Sequence, residues 1–359
     1  MVTDVKNVRT AGGKRLWPWV IVIVLAIVLG AMAVIPLPYY IYSPGSAESL
    51  QPLITVQGGH KTAKGQFLLT TVYVVYAANV YDFLYGLMLP HHQILPAQEI
   101  NAGLSNSQYT NVEVYMMQMS HEAAKIAALR YLHKPVAVTT TGVEVISVEQ
   151  HSAASGLLKP GDIITAVNGV PLHNPNLLFT ELQKAKIGQT VALTFLRGAT
   201  VHHAQIRLVA LPPLPGHKRP RPGIGILPAV AQSVRTPVRI RINTGNIDGP
   251  SAGLMFTLEV INQLYPYGDL TKGYKIAGTG TMSSNGTVGQ IGGAAHKVIA
   301  AMNAGANYFF VPADTAPGDT NAAHALAEAK KLHTSMRIIP IRSLDQAIAF
   351  LKSLRPKSS

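Results

Sequence analysis

The chain has 359 residues, 48% of them hydrophobic, and a formal charge of +13, which allows two or three domains with sizeable cores. It has no cysteine, which excludes disulfides and thiol chemistry, so the folded part must hold together by packing. Lys and Arg form no aromatic-basic stripe; this excludes a nucleic-acid interface and suits attraction to anionic headgroups or wall polymers.

From Leu16 to Tyr42 no residue is charged, and the run is long enough to cross a bilayer. Residues 1–15 form a basic tail, with Lys6, Arg9, Lys14 and Arg15 against Asp4. That bias keeps the N-terminus in the cytoplasm and places the remainder outside, with residues 16–38 as the membrane helix. Trp17 and Trp19 fall at one expected interface, and Tyr39, Tyr40 and Tyr42 at the other. Ala31-Met32-Ala33 has the form of a signal-cleavage site, but the apolar run continues through Val34-Ile35-Pro36-Leu37, which favours an uncleaved anchor.

Pro36, Pro38, Pro44 and Gly45 end the helix and begin an extended linker. Residues 65–74 read as a strand and 110–131 as a helix whose Met116, Met119, Ala123, Ile126 and Ala127 recur at threes and fours. His121-Glu122 opens a zinc-helix pattern, but Lys125 stands where the second histidine belongs, so no metal is expected. Residues 134–210 form a separate module, with strand, turn and strand over 138–148 broken at Gly142 and a helix near 176–185. The proline-rich, basic stretch 211–222 reads as a stiff connector without regular structure. Beyond it, strands at 237–243, 274–278, 308–311 and 338–341 alternate with helices at 251–264, 294–304 and 321–331, giving an α/β or α+β domain.

The chemistry concentrates in that last domain. Val238, Ile240 and Ile242 face a core, and a glycine-rich turn through Asp248 and Gly249 follows. Pro250 and Ser251 then open a helix with Leu254, Leu258 and Ile261 on its apolar face. A serine there is an N-cap or, beside unpaired amides, a nucleophile. Lys297, in Gly292-Gly293-Ala294-Ala295-His296-Lys297, offers an amine on another helix. Together they are the raw material of a serine-lysine pair.

Gly249 to Gly253, the glycine pair four positions before Lys297, and Gly286 to Ile291 resemble the proteolytic domain of Lon-type serine-lysine proteases. The resemblance implies Ser251 as nucleophile, Lys297 as general base and Ser283 as the hydroxyl that orients the lysine. Gly249 and Asp248 would shape the turn, and Thr281 replaces an acidic residue common in the family. The helix around Ser120-His121-Glu122-Ala123-Ala124 also resembles one of that family, so residues 45–131 are read as the first part of the proteolytic domain and 223–350 as the second. Between them, His151 to Gly169 resembles a bacterial PDZ domain over 134–210. By that resemblance Thr141, Gly142 and Val143 receive a peptide's C-terminal carboxylate, although the sequence there departs from the usual Gly-Leu-Gly-Phe-like loop. No phosphate-binding GxxxxGK[ST] loop occurs.

The expectation is an α+β chain, with an N-terminal transmembrane helix and an inserted PDZ domain, acting outside the membrane as an ATP-independent serine endopeptidase. It needs no cofactor or nucleic acid; its partners are protein or peptide substrates and, as the Lon-type resemblance implies, further copies of itself in a weak or conditional homo-oligomer. The alternative is a catalytically silent membrane scaffold that captures exposed C-termini.

Overall fold

The computed structural model describes residues 17–62, 64–213, 219–266 and 268–358. The basic tail, Leu16 and the middle of the connector lie outside the described residues. In chain order, α1 (Trp17–Val34) precedes β1 (Tyr39–Ser49), β2 (Ile54–Val56), β3 (Gln66–Tyr76), α2 (Val80–Met88) and β4 (Gln93–Pro96). Then come α3 (Ala97–Asn101), α4 (Asn106–Tyr131), β5 (Ala137–Val148), β6 (Ile163–Val167), β7 (Val170–Pro171) and α5 (Pro175–Gln183). β8 (Thr190–Arg197), β9 (Thr200–Arg207), β10 (Val209–Leu211), β11 (Arg221–Gly223), β12 (Ile226–Arg235) and β13 (Ile240–Ile242) follow. A 3₁₀ turn (Pro250–Ala252) leads into α6 (Gly253–Leu264), β14 (Lys275–Gly278), β15 (Thr281–Met282) and β16 (Val288–Gly289). The chain ends with α7 (Ala294–Asn303), β17 (Tyr308–Pro312), α8 (Asn321–Lys331), β18 (Arg337–Ile341) and α9 (Leu344–Ser353).

The chain divides into two compact units, Met1–Ser43 with Tyr73–Ala102, and Pro44–Val72 with Gly103–Ser359. In the first, α1 is a candidate membrane span of 18 residues, mean hydropathy 2.5, with none of its residues buried. At 1.5 Å per residue it is about 27 Å long, close to a hydrocarbon core. The stretch expected to be a linker is instead β1, whose first residues pair antiparallel with β4 from Tyr39↔Pro96 to Tyr42↔Gln93. Tyr40 is therefore buried, edge-on to Tyr76, and is not an interfacial anchor. The prolines that suggested a linker are compatible with extended backbone at a sheet margin.

The second unit is built on a sheet in the order β18-β17-β14-β3-β1, in which β14 runs parallel to both β3 and β17. α4 and α6 pack on one another and share a core with Phe67, Leu129 and Phe310. Residues from 50 to 131 and from 240 to 351 thus contribute to one apolar cluster. α6 was expected to show one apolar face, yet Gly253 to Gln263 are all buried. Most of its polar atoms are satisfied internally, as burial demands, the Asn262 amide nitrogen excepted. Thr257 Oγ1 donates to Gly253 O at 2.7 Å, and Gln263 Nε2 donates to Ile54 O at 3.0 Å and to Glu259 Oε1 at 2.8 Å. Burial pushes the Glu259 carboxyl up to about 7.

A second sheet, ordered β12-β5-β6-β8-β9 with β7 on β6, wraps its own core of Val145, Ile164, Leu178, Leu193 and Phe195. β5 is one strand of 12 residues and not two strands about a turn. Gly142 marks a close approach, since a Cβ there would sit 2.6 Å from Ile164 O. β12 pairs with β5 throughout, from Ile226↔Val148 to Arg235↔Ala137, so this sheet extends beyond the expected boundary at 210. The ends of the connector also pair, β10 with β11, because extended proline segments can still form a ladder where their carbonyls accept. Asp162, buried, takes Arg197 Nε at 2.8 Å and Arg197 Nη2 at 2.7 Å, closing the loop before β6.

Gly142→Ala forces a methyl against the β6 backbone, and the expected cost is about 1–3 kcal/mol. A lowered Tm of the detergent-solubilised chain by calorimetry measures it; an unchanged Tm contradicts the close approach.

Candidate active site

Three segments converge at the start of α6. Gly249 has φ of 91°, which a side-chain-bearing residue rarely adopts, and a Cβ there would also meet Glu113 Oε2 at 2.7 Å. Its N–H donates to Glu113 O at 3.3 Å, tying the turn to α4. Pro250 suits the first position of the 3₁₀ turn, where an N–H has no intrahelical partner. Ser120 Oγ donates to Pro250 O at 3.1 Å from the other side. The turn therefore holds Ser251 in place through backbone contacts on both flanks.

Ser251 O accepts Gly280 N–H at 2.7 Å and Thr279 Oγ1–H at 3.0 Å, so the end of β14 is fastened to the serine's own backbone. Lys297 comes from the first turn of α7, after Gly293. Its Nζ lies 2.6 Å from Ser251 Oγ and 3.1 Å from Thr279 Oγ1, donating to both when it carries its proton. Lys297 is only 2% exposed. Burial pulls its amine down from the ordinary 10.5 to about 7, opposed by the Glu113 carboxylate, which favours the ammonium. Glu113 is itself pushed up by burial and by the charge of Asp248, while Tyr109 and Lys297 act the other way.

The residues picked out in the sequence fall into three sets. Ser251 and Lys297 are brought into contact, with Gly249 beneath them and Asp248 exposed at the edge of the turn. Ser283 is a correction. Its hydroxyl bonds to Asn285 Oδ1 and donates to Thr287 O at 3.1 Å, inside the β15–β16 turn, so it does not reach the lysine. Thr279 occupies the position assigned to it; as the residue directly after β14 it is held by Phe310 O through its N–H at 2.9 Å. Its signal in the sequence was the threonine-glycine pair at the end of an apolar strand.

Thr141, Gly142 and Val143 are also corrected. They lie inside β5, with Ala231 and Val230 of β12 on one side and Ile164 of β6 beside Val143 on the other, so no peptide can add there. The sheet's free margin on that side is β12. It emerges from Gly223-Ile224-Gly225-Ile226, which carries the glycine-apolar alternation that the earlier loop lacked, and α5 packs against β11 and β12. Gly225 O accepts from Glu149 N at 2.9 Å and Ile224 O from Ala154 N at 2.9 Å, which anchors this loop.

A profile of the PDZ domain matches residues 117–208, and one of the Lon protease (S16) C-terminal proteolytic domain matches 230–352. Solved PDZ domains of SdrC-like proteins from Listeria monocytogenes and Listeria innocua are 31% and 33% identical to this chain. They cover 25% and 24% of it and 90% and 92% of their own length, with TM-scores of 0.23 and 0.22. A solution structure from Geobacillus thermodenitrificans is 32% identical over 20% of this chain and 83% of its own, with a TM-score of 0.19. No curated protein matches.

A buried amine makes native stability depend on pH. Unfolded, Lys297 holds its proton to near 10.5, but folded only to about 7, so the unfolded chain binds more protons between those values. Stability therefore rises with pH across that window and is least below it. Lys297→Met removes the dependence and raises Tm at about pH 7, by less as pH approaches 10. Calorimetry of both chains across that range checks it, and a lower Tm for the variant at neutral pH contradicts it.

Proposed function

We propose that this chain, a PDZ-containing Lon-type protease by its two matched domains, hydrolyses peptide bonds through Ser251 and Lys297. The observation that carries the reading is the 2.6 Å contact between a serine hydroxyl and a lysine amine held near pKa 7 by burial. A neutral amine accepts the Ser251 proton as Oγ bonds to the scissile carbonyl carbon, and the carbonyl π pair moves to oxygen. Backbone amides around Ser251, at a turn whose first N–H groups have no intrahelical acceptor, are the donors we assign to the resulting oxyanion. The lysine then gives its proton to the leaving amine as the C–N bond breaks. Water, deprotonated by the same amine, releases the acyl group and regenerates Ser251. Thr279 is a positioning residue, accepting a hydrogen bond from one amine N–H so that the lone pair of the neutral amine points at Ser251.

The matched PDZ domain supports capture of peptide or protein substrates, and the groove between β12 and α5 is the place we assign to their C-termini. The PDZ sheet is read as an insertion between two parts of the proteolytic core, because β5 and β12 are the strands by which the chain leaves and re-enters it. The apolar helix α1 is read as an uncleaved anchor, with the catalytic unit outside; that orientation rests on the basic tail, in sequence alone. No nucleotide is needed for these steps, so added ATP leaves the rate unchanged.

Ser251→Ala and Lys297→Met each lower kcat on an unstructured casein-derived peptide by about 10³-fold or more, with the fold retained. Full activity in Ser251→Ala overturns the reading and leaves the scaffold. The wild-type rate falls as pH drops through about 7, where Lys297 gains its proton. Because the Glu113 carboxylate favours that proton, Glu113→Gln moves the acid limb of kcat/KM to lower pH. A shift to higher pH contradicts the assignment of Lys297 as base.

A further inference from the structure

β12 belongs to two places at once. It begins at the Gly223–Ile226 loop beside α5, outside the residues matched by either profile, and runs into the Lon-type match from residue 230. One edge is bonded to β5 along all ten residues. The other edge carries no strand among the described residues, since β12 ends its sheet. Midway, Tyr115 Oη donates to Val230 O at 3.0 Å and fixes the strand to α4. Just beyond, between Ala231 and Gln232, the pairing with β5 shifts register. A bulge of this kind bends a strand and re-aims its edge. From there Gln232 forms one wall of a cleft of about 360 Å³, with Met116 and Met119 of α4 below and Met282 and Pro250 opposite. Pro250 is the residue before Ser251.

We propose that β12 is a ruler, a single edge that captures a substrate's C-terminus at one end and presents an upstream bond to Ser251 at the other. The inference rests on the protease and C-terminal-capture reading above. A peptide adding antiparallel to β12, with its carboxylate at Gly225 and Ile226, can only run toward Arg235, which is toward the cleft. The six steps from Ile226 to Gln232 span about 20 Å at roughly 3.3 Å per residue. The bond reaching Ser251 therefore lies roughly 6–10 residues before the C-terminus, whatever the sequence between. The cleft, walled by methionine side chains that adapt to shape, accepts an apolar side chain at that point without strict choice. Specificity then comes from distance as much as from sequence.

The test uses the full chain in detergent and synthetic peptides made of a uniform Ala-Leu-Ser repeat, so that equivalent bonds recur along each one. Peptides about 12, 18 and 24 residues long, ending in a free carboxylate, are digested and their products mapped by mass spectrometry. The expected C-terminal product keeps one length, within roughly 6–10 residues, as the peptide grows at its N-terminus. Amidating the C-terminus scatters the cuts and lowers kcat/KM about tenfold or more. A C-terminal product that lengthens with the peptide, or amidated peptides cut at the same bonds with the same kcat/KM, overturns the ruler while leaving the protease intact. Failure of the wild type to cut any of these peptides or casein-derived ones overturns the protease reading, and the ruler with it.

Discussion

An amine taken out of water either finds a counter-charge or gives up its proton, and Lys297, 2% exposed, is placed so that the second course is open. Much of the catalytic unit can be understood as maintaining that condition. β14 lies between β3 and β17, so its last residues are fixed by parallel ladders on both sides. Its extension delivers Thr279 to the amine and Gly280 to the Ser251 carbonyl. α6 is buried all round, so the serine at its mouth sits at the edge of a dry interior and not on a surface helix. The cost of placing Thr257, Glu259, Asn262 and Gln263 there is offset by internal hydrogen bonds, some of which hold β2.

Glu113 complicates this arrangement in a useful way. Its carboxylate stands over Gly249 and acts on Lys297 from a distance, partly restoring the protonated form that burial removes. The two influences leave the amine near neutrality, where a base can both take and return a proton. The acid is carried by α4, a helix of 26 residues that also provides the floor of the cleft. One element thus sets both the electrostatics and the shape beside the serine.

The serine and lysine were legible because each lies in a short motif whose local backbone, a glycine-proline turn and a glycine-capped helix start, decides where its side chain points. Helix boundaries at 294–304 and 321–331 were legible for the same local reason. Thr279 was not, because Ser283 and Thr279 are both hydroxyls near the right place and only the path of the β15–β16 turn separates them. Glu113 carries no motif at all; its role follows from the crossing of α4 over the turn. Thr141 to Val143 read as a loop and not as an inner strand because the PDZ sheet takes its last strand from about 80 residues after β5 in the chain, past a proline-rich stretch that reads as a boundary. The strand β1 was hidden by Pro44 and Gly45, whose local preference for loops is overridden by packing, with Gly45 lying close against Thr71.

The pairing of β5 with β12 also governs what can be cut away from this molecule. A truncation drawn at the apparent module ends, near residues 134 and 210, would remove β5 and leave all ten residues of β12 with no paired strand on either side among the described residues. Such a strand is a template for joining other chains, and a shortened protein of this kind would be prone to aggregate. A loss of peptidase activity would then be misread as evidence that the PDZ sheet is catalytic. A clean excision has to carry β12 with the PDZ sheet, and in doing so it removes Gln232 from the cleft wall. The PDZ sheet and the cleft beside Ser251 share a piece of backbone, so neither can be deleted without wounding the other.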